Sequence, residues 1–184
     1  SAYFIANGVT AAECLLIRAR INTALSAMGL QNGIRSFSYE GDSLTWGVGV
    51  GVPSYSARLR TLSGWQGRHI ESGMNSETIV TMNTQYALQV QAYAPDGYYA
   101  TKSLLLLWAG TNDLVADTLA ATVLTNLRTY WAAARADGFK VIAFTIMPRN
   151  DTTWNTNAAA RNAQLAALNA SIIADSANWD ALIR

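Results

Sequence analysis

Tyr39-Glu40-Gly41-Asp42-Ser43-Leu44-Thr45-Trp46-Gly47 is the stretch on which the reading of this chain turns. It grows out of Ile34-Arg35-Ser36-Phe37-Ser38-Tyr39, whose alternating apolar and polar residues predict a short strand. A Gly-rich loop follows, from Gly47 to Pro53, and Tyr55 to Leu62 then predicts a helix. Ser43 therefore falls where a strand passes into a turn, at the carboxyl edge of a sheet, where open α/β sheets place ligands. A serine on such a turn can offer its hydroxyl and its own backbone N–H to a bound carbonyl. Gly-Asp-Ser is also ordinary turn chemistry, because Gly tolerates positive φ and Asp and Ser bond nearby backbone. A second stretch is needed to decide between the two.

Working outward, the 184 residues suit one domain, 1–184, with a helical lead-in over 1–33. At 51% hydrophobic and 14% charged residues, the composition is that of a globular chain. A net charge of +1 gives no electrostatic basis for binding nucleic acid or an anionic membrane. The single Cys14 excludes an internal disulfide and a Cys-based zinc site. No apolar run is long enough to span a bilayer, and no signal peptide is visible. Because the chain begins with Ser1, a removed upstream segment is expected. The expected location is extracellular, or at a cell or virion surface.

Thr10-Ala11-Ala12-Glu13 has the spacing of a capping box. Cys14, Ile17, Ile21, Leu25 and Met28 continue it at helical spacing up to Gly29. This helix is expected to cover the sheet or to join an upstream module. Arg68 to Ser72 predicts a second strand, followed by the loop Gly73-Met74-Asn75-Ser76-Glu77-Thr78. A helix then carries Ile79, Met82, Tyr86, Val90 and Tyr93 on one face and ends at Ala94-Pro95-Asp96-Gly97. Ser103 to Trp108 is apolar on both faces, as in a central parallel strand covered on both sides. It stops at Ala109-Gly110-Thr111-Asn112-Asp113, before a helix from Thr118 to Ala136. Lys140 to Ile146 predicts a fourth strand, Thr156 to Ala174 a last helix, and Ala181 to Ile183 the opening of a fifth strand. Strands alternating with helices imply right-handed crossovers and a parallel sheet with helices on both faces.

That topology brings Ser43, the loop from Gly73 to Thr78 and Gly110-Thr111-Asn112-Asp113 to one edge. Acyl transfer needs a nucleophile and fixed donors for a developing oxyanion. Ser43 can supply a hydroxyl and an N–H, the second loop an N–H, and Asn112 an uncharged amide donor. Gly110 allows close backbone approach. In order, spacing and strand context these three blocks resemble those of the GDSL or SGNH hydrolases, and Val141 to Asp151 resembles that family's fourth strand and loop. The resemblance runs from about Ile34 to the end. It implies a flavodoxin-like three-layer α/β/α sandwich with a mainly parallel sheet, and metal-free ester hydrolysis without a cofactor. Carried over by position, Ser43 is the nucleophile and an oxyanion donor, Asn112 the side-chain donor, and Ser76 the backbone donor of the second block.

Two departures stand out. The family usually has Gly where Ser76 aligns. The N–H survives the change, but the backbone angle must suit a non-Gly residue; Ser76 is also a candidate N-cap for the following helix. More seriously, the family's C-terminal Asp-x-x-His block is missing. The only histidine, His69, is read as structural within a strand, and Asp180 has no His three residues on. The general base is therefore expected beyond residue 184 or on a separate C-terminal fragment.

Other residues at this edge weigh less. Asp42 reads as a turn residue that, like Gly110, plays a supporting role, and Asp113 reads as a helix-start or turn residue more than as a substrate contact. Most of the six tryptophans read as core residues; Trp46 and Trp154 lie in loops near the site as candidates for a sugar-stacking platform, and Trp46, Arg149 and Asn150 are candidate substrate contacts. The Gly47-to-Gly51 loop lacks the Gly-Lys-Ser/Thr of a phosphate cradle. The expected function is a serine esterase on a small-molecule or carbohydrate ester, such as a carbohydrate O-acetyl group or another short acyl group. The alternative is a non-catalytic binding or structural module on the same scaffold, within a larger surface or phage-tail-like protein.

Overall fold

The computed structural model describes residues 10–30, 34, 36–47, 54–94 and 102–184. Most of the Gly-rich loop after Gly47, and Pro95-Asp96-Gly97, lie outside them.

Five parallel strands form one sheet: β1 (Ser36–Gly41), β2 (Arg68–Glu71), β3 (Ser103–Trp108), β4 (Lys140–Phe144) and β5 (Ala181–Ile183), in the order β2-β1-β3-β4-β5. The order reverses between β1 and β3, and a crevice opens there at the strands' carboxyl ends. Register aligns the two edges: Gly41 pairs with Trp108, so the residues leaving β1 and β3 emerge side by side.

Helices cover both faces. On one, α1 (Ala11–Ala27) and α3 (Tyr55–Ser63) bring Cys14, Ile21, Leu25, Tyr55 and Leu59 onto Phe37, Tyr39, Leu104, Leu106 and Ile142. On the other, α4 (Ile79–Gln89), α6 (Ala120–Ala136) and α8 (Ala158–Ala174) pack Ile79, Met82, Leu127, Trp131, Leu168 and Ile172 onto Leu105, Leu107, Val141 and Ala143. The result is a three-layer α/β/α sandwich. Three helices of a single turn or so, α2 (Ser43–Trp46), α5 (Thr111–Val115) and α7 (Thr152–Asn155), sit on strand-to-helix connections. Among the described residues no helix is long and apolar enough to cross a membrane.

Thr10 and Glu13 close both halves of the capping box at α1, which covers the sheet as expected. β4 stops at Phe144, before the expected Ile146. Ile146 leaves the ladder because Asn169 takes both its N–H, at 2.7 Å, and its carbonyl, at 2.8 Å. β1 departs from its alternating pattern in a more consequential way. All six of its residues are buried, Ser36, Ser38 and Glu40 included. Alternation predicts a strand with one wet face, but β1 lies between β2 and β3 with helices on both sides, so its polar residues face protein.

Candidate active site

Asp42 caps α2 by accepting the Leu44 N–H on Oδ1 at 2.9 Å, which places Ser43 at the first helical position. Space explains the glycine before it. A Cβ on Gly41 would stand 2.3 Å from Thr45 Oγ1 and 2.4 Å from the Trp108 carbonyl oxygen. Gly73 serves the second loop in the same way, since its Cβ would lie 2.6 Å from Thr45 Cβ. The Met74 N–H donates to the Gly41 carbonyl at 3.0 Å. The second loop is thus seated directly on the Ser43 turn.

The third stretch holds the second loop from the other side. Gly110, at φ +114°, caps α5. Asn112 Nδ2 donates to the Glu77 carbonyl at 2.9 Å, and Asp113 Oδ2 accepts the Ile79 N–H at 3.0 Å. The two bonds bracket Thr78. A primary amide has two N–H donors, so Asn112 keeps one beyond its bond to Glu77. Asp113 opens α5 as expected, and it also caps α4, a tertiary role its local sequence does not announce.

Ser76 is exposed and adopts φ +62°, the left-handed conformation that glycine takes without strain. It is not the N-cap of α4. Thr78 is, accepting the Thr81 N–H at 3.3 Å.

Ser43 lines a cleft with Asp42, Leu44, Thr111, Met147, Pro148 and Arg149. Arg149 is therefore beside the serine, its Nε on Asp151 Oδ2 at 2.7 Å. Asn150 is not. It accepts from Asn155 Nδ2 and lines a neighbouring cleft with Asn162 and Asn169. Trp46 is 60% exposed at the end of α2, available as an aromatic surface. Trp154 is fully buried in α7 with Nε1 on Asn162 Oδ1, so it is a core residue and not a loop platform. Its placement follows from its size, as burying the indole removes a large apolar area from water.

The electrostatics at this edge are those of buried acids. Burial pushes the Asp42 carboxyl up to about 6; the Leu44 N–H and the Arg149 charge pull it back, and Asp113 adds to the rise. Burial also raises Asp113, against its bond from Ile79. Among the described residues no group of three His, Cys, Asp or Glu is placed to hold a metal.

His69 lies within β2, stacked on Phe37 at a centroid distance of 4.8 Å. Its Nδ1 is 3.0 Å from the Tyr39 hydroxyl and its Nε2 3.4 Å from the Trp65 carbonyl. If Nε2–H donates to Trp65, Nδ1 is left to accept from Tyr39, so both nitrogens are engaged in a neutral ring. Burial accordingly holds the imidazole below its ordinary value. Sequence reasoning passed over Glu40 and Glu77, both buried beside these loops.

The fold is that of the SGNH hydrolases. The chain is similar to the crystal structure of AlinE4, an SGNH-hydrolase family esterase, with a TM-score of 0.63 and 22% identity over 82% of this chain and 75% of that one. TesA gives 0.59 and 18% over 80% and 77%; the lipase/acylhydrolase from Enterococcus faecalis gives 0.61 and 20% over 82% and 76%. The model of the GDSL-like lipase/acylhydrolase family matches residues 41–180, and the chain belongs to that family of ester-hydrolysing enzymes. No curated protein matches it in sequence.

Proposed function

We propose that this chain carries the acyl-transfer half of a serine esterase, with Ser43 as nucleophile. The observation that supports this most is the joining of the three blocks: Ser43 lines a cleft, the second loop is bonded to its turn through Met74, and Asn112 is bonded to that loop through Glu77. Ser43 Oγ attacks the ester carbonyl. The Ser43 N–H, the Ser76 N–H and the uncommitted N–H of Asn112 receive the oxyanion, and the alcohol leaves as the acyl-enzyme forms. Water then releases the acid. Gly110 and Asp42 support this geometry without touching the reacting atoms.

The proton must go to a base outside these residues. His69 is committed to Tyr39 and Trp65 in β2, so the general base comes from a segment beyond residue 184 or from a separate fragment carrying Asp-x-x-His. The small cleft, with Arg149 in its wall and exposed Trp46 at the end of α2, suits a short acyl group on a polar alcohol such as an acetylated sugar. Hydrolysis of p-nitrophenyl acetate and octanoate by the full-length protein tests this. Faster turnover of the acetate, lost in Ser43→Ala, is the expected result; hydrolysis that survives Ser43→Ala overturns the assignment.

Among the described residues no histidine lines the Ser43 cleft, and this favours one other reading, a binding module on an esterase scaffold. Intact mass under denaturing conditions separates the two: a co-purifying polypeptide with Asp-x-x-His supports the enzyme, and a gene product without any such block supports the module.

A further inference from the structure

Glu40 is fully buried at the end of β1, one residue before Gly41, on a strand whose both faces are covered. Glu77 is 4% exposed in the second loop, between Ser76 and Thr78. Glu40 Oε1 accepts the Gly41 N–H at 3.1 Å, and Glu77 Oε1 receives a long bond from Gln89 Nε2 at 3.4 Å. Neither Glu40 Oε2 nor Glu77 Oε2 has a partner in hydrogen-bonding geometry; the Tyr130 hydroxyl is near enough to Glu40 to lower its carboxyl but falls outside that geometry. Two such buried carboxyls, with the Glu77 charge acting on Glu40, are costly if both groups are ionised, because desolvation and mutual repulsion add. The described groups facing Glu40 are Glu77 from the second loop and the Tyr130 hydroxyl from α6; Tyr130 packs on Tyr86, which bonds Asp137. Across the sheet stands Tyr55. None is basic.

We infer that Glu40 and Glu77 form a carboxyl pair that holds one proton and thereby positions the oxyanion donors, with Glu40 a positioning residue and not a catalytic one. The inference rests on the esterase reading of Ser43 and Asn112. The mechanical link is the Glu77 residue itself: its charge acts on Glu40 while its own carbonyl accepts the Asn112 amide. With one proton on the pair, β1 and the second loop stay together. When that proton leaves, two anions in a dry site repel, Glu77 withdraws, and Asn112 and Ser76 move with it. Burial and the Glu77 charge push the Glu40 carboxyl up to about 8, and burial raises Glu77 as well, so the loss falls in mildly alkaline solution. The pair titrates as a unit, and its upper step belongs to neither residue alone.

The test is an NMR pH titration of the full-length protein from pH 6 to 10, following the glutamate carboxyl carbons, the Asn112 side-chain amide and the Ser76 backbone amide. It is run on wild type and on Glu40→Gln, which keeps the shape and cannot ionise. A carboxyl step near neutral to mildly alkaline pH, matched by the two amides and absent from Glu40→Gln, is expected. Two carboxyls already ionised at pH 7, or an amide step that persists in Glu40→Gln, overturns the inference. Fluorophosphonate labelling of Ser43 over the same range adds a separate readout. It should fall about tenfold across the step in wild type, as a modest misplacement of donors would cause, and stay flat in Glu40→Gln. Absence of labelling at every pH, with the amide step present, sinks the esterase reading and leaves the carboxyl pair standing.

Discussion

Ser76 shows how much a single backbone angle can carry. Its φ of +62° costs a side-chain-bearing residue about 1–2 kcal/mol relative to glycine. Replacing a helix or loop residue by glycine ordinarily weakens a protein, because glycine has more freedom to lose. Here the strain term exceeds that entropy term, and Ser76→Gly should raise stability by about 0.5–1 kcal/mol in urea unfolding, with the backbone N–H retained. An unchanged or lowered midpoint would mean that the angle relaxes. Gly41 works in the opposite direction: a methyl group there meets Thr45 and the Trp108 carbonyl, so Gly41→Ala should cost about 1–3 kcal/mol by overpacking. Gly41-Asp42-Ser43 and Asn112 were legible because their chemistry is local and their spacing fixed. Glu40 was not, because an alternating strand reads as having one wet face, and only the covering of both faces of β1 makes that carboxyl a buried one.

The elements tell the same story at larger spacing. Long helices and continuous strands were readable from period: β3 falls at Ser103–Trp108 as predicted, and α6 begins two residues late at Ala120. The three short helices were not, since four or five residues carry no periodicity. Trp154 therefore reads as a loop residue although α7 turns it fully inward. Trp154→Ala should lower stability by about 3–5 kcal/mol, the usual cost of a large core cavity; a loss below one would place the indole in solution after all. Asp113 joins two elements by capping α4 from α5. Asp113→Ala should cost about 1–2 kcal/mol, and Asp113→Asn less, because the amide oxygen still accepts the Ile79 N–H. Equal losses for both would point to the charge and not the bond.

For the whole molecule, buried acids make stability depend on pH in an unusual direction. A carboxyl raised by folding binds more protons folded than unfolded, so its contribution is complete below its unfolded value and is lost as pH rises through the folded one. Glu40, pushed up to about 8, should lose its contribution between about pH 4.5 and 8, and Asp42, pushed up to about 6, over the lower part of that range. Asp117 is held below its ordinary value by Arg161, Asp151 by the Trp154 N–H and Arg149, and Asp175 by Arg128 and then Asn178; they lose their contributions as pH falls below about 4. His69, also depressed, loses its contribution below about pH 6.5. The difference between wild type and Glu40→Gln isolates the first effect: wild type should lose on the order of 5 kcal/mol relative to the variant between pH 4.5 and 8. Parallel curves would mean that Glu40 titrates normally.

The proposed role of Ser43 as nucleophile is tested by treating the full-length protein with a fluorophosphonate and locating the adduct by peptide mass spectrometry. One adduct is expected, on Ser43, absent from Ser43→Ala and formed more slowly in Asn112→Ala by about 10²-fold or more. An adduct on another residue, or undiminished labelling of Ser43→Ala, would contradict it.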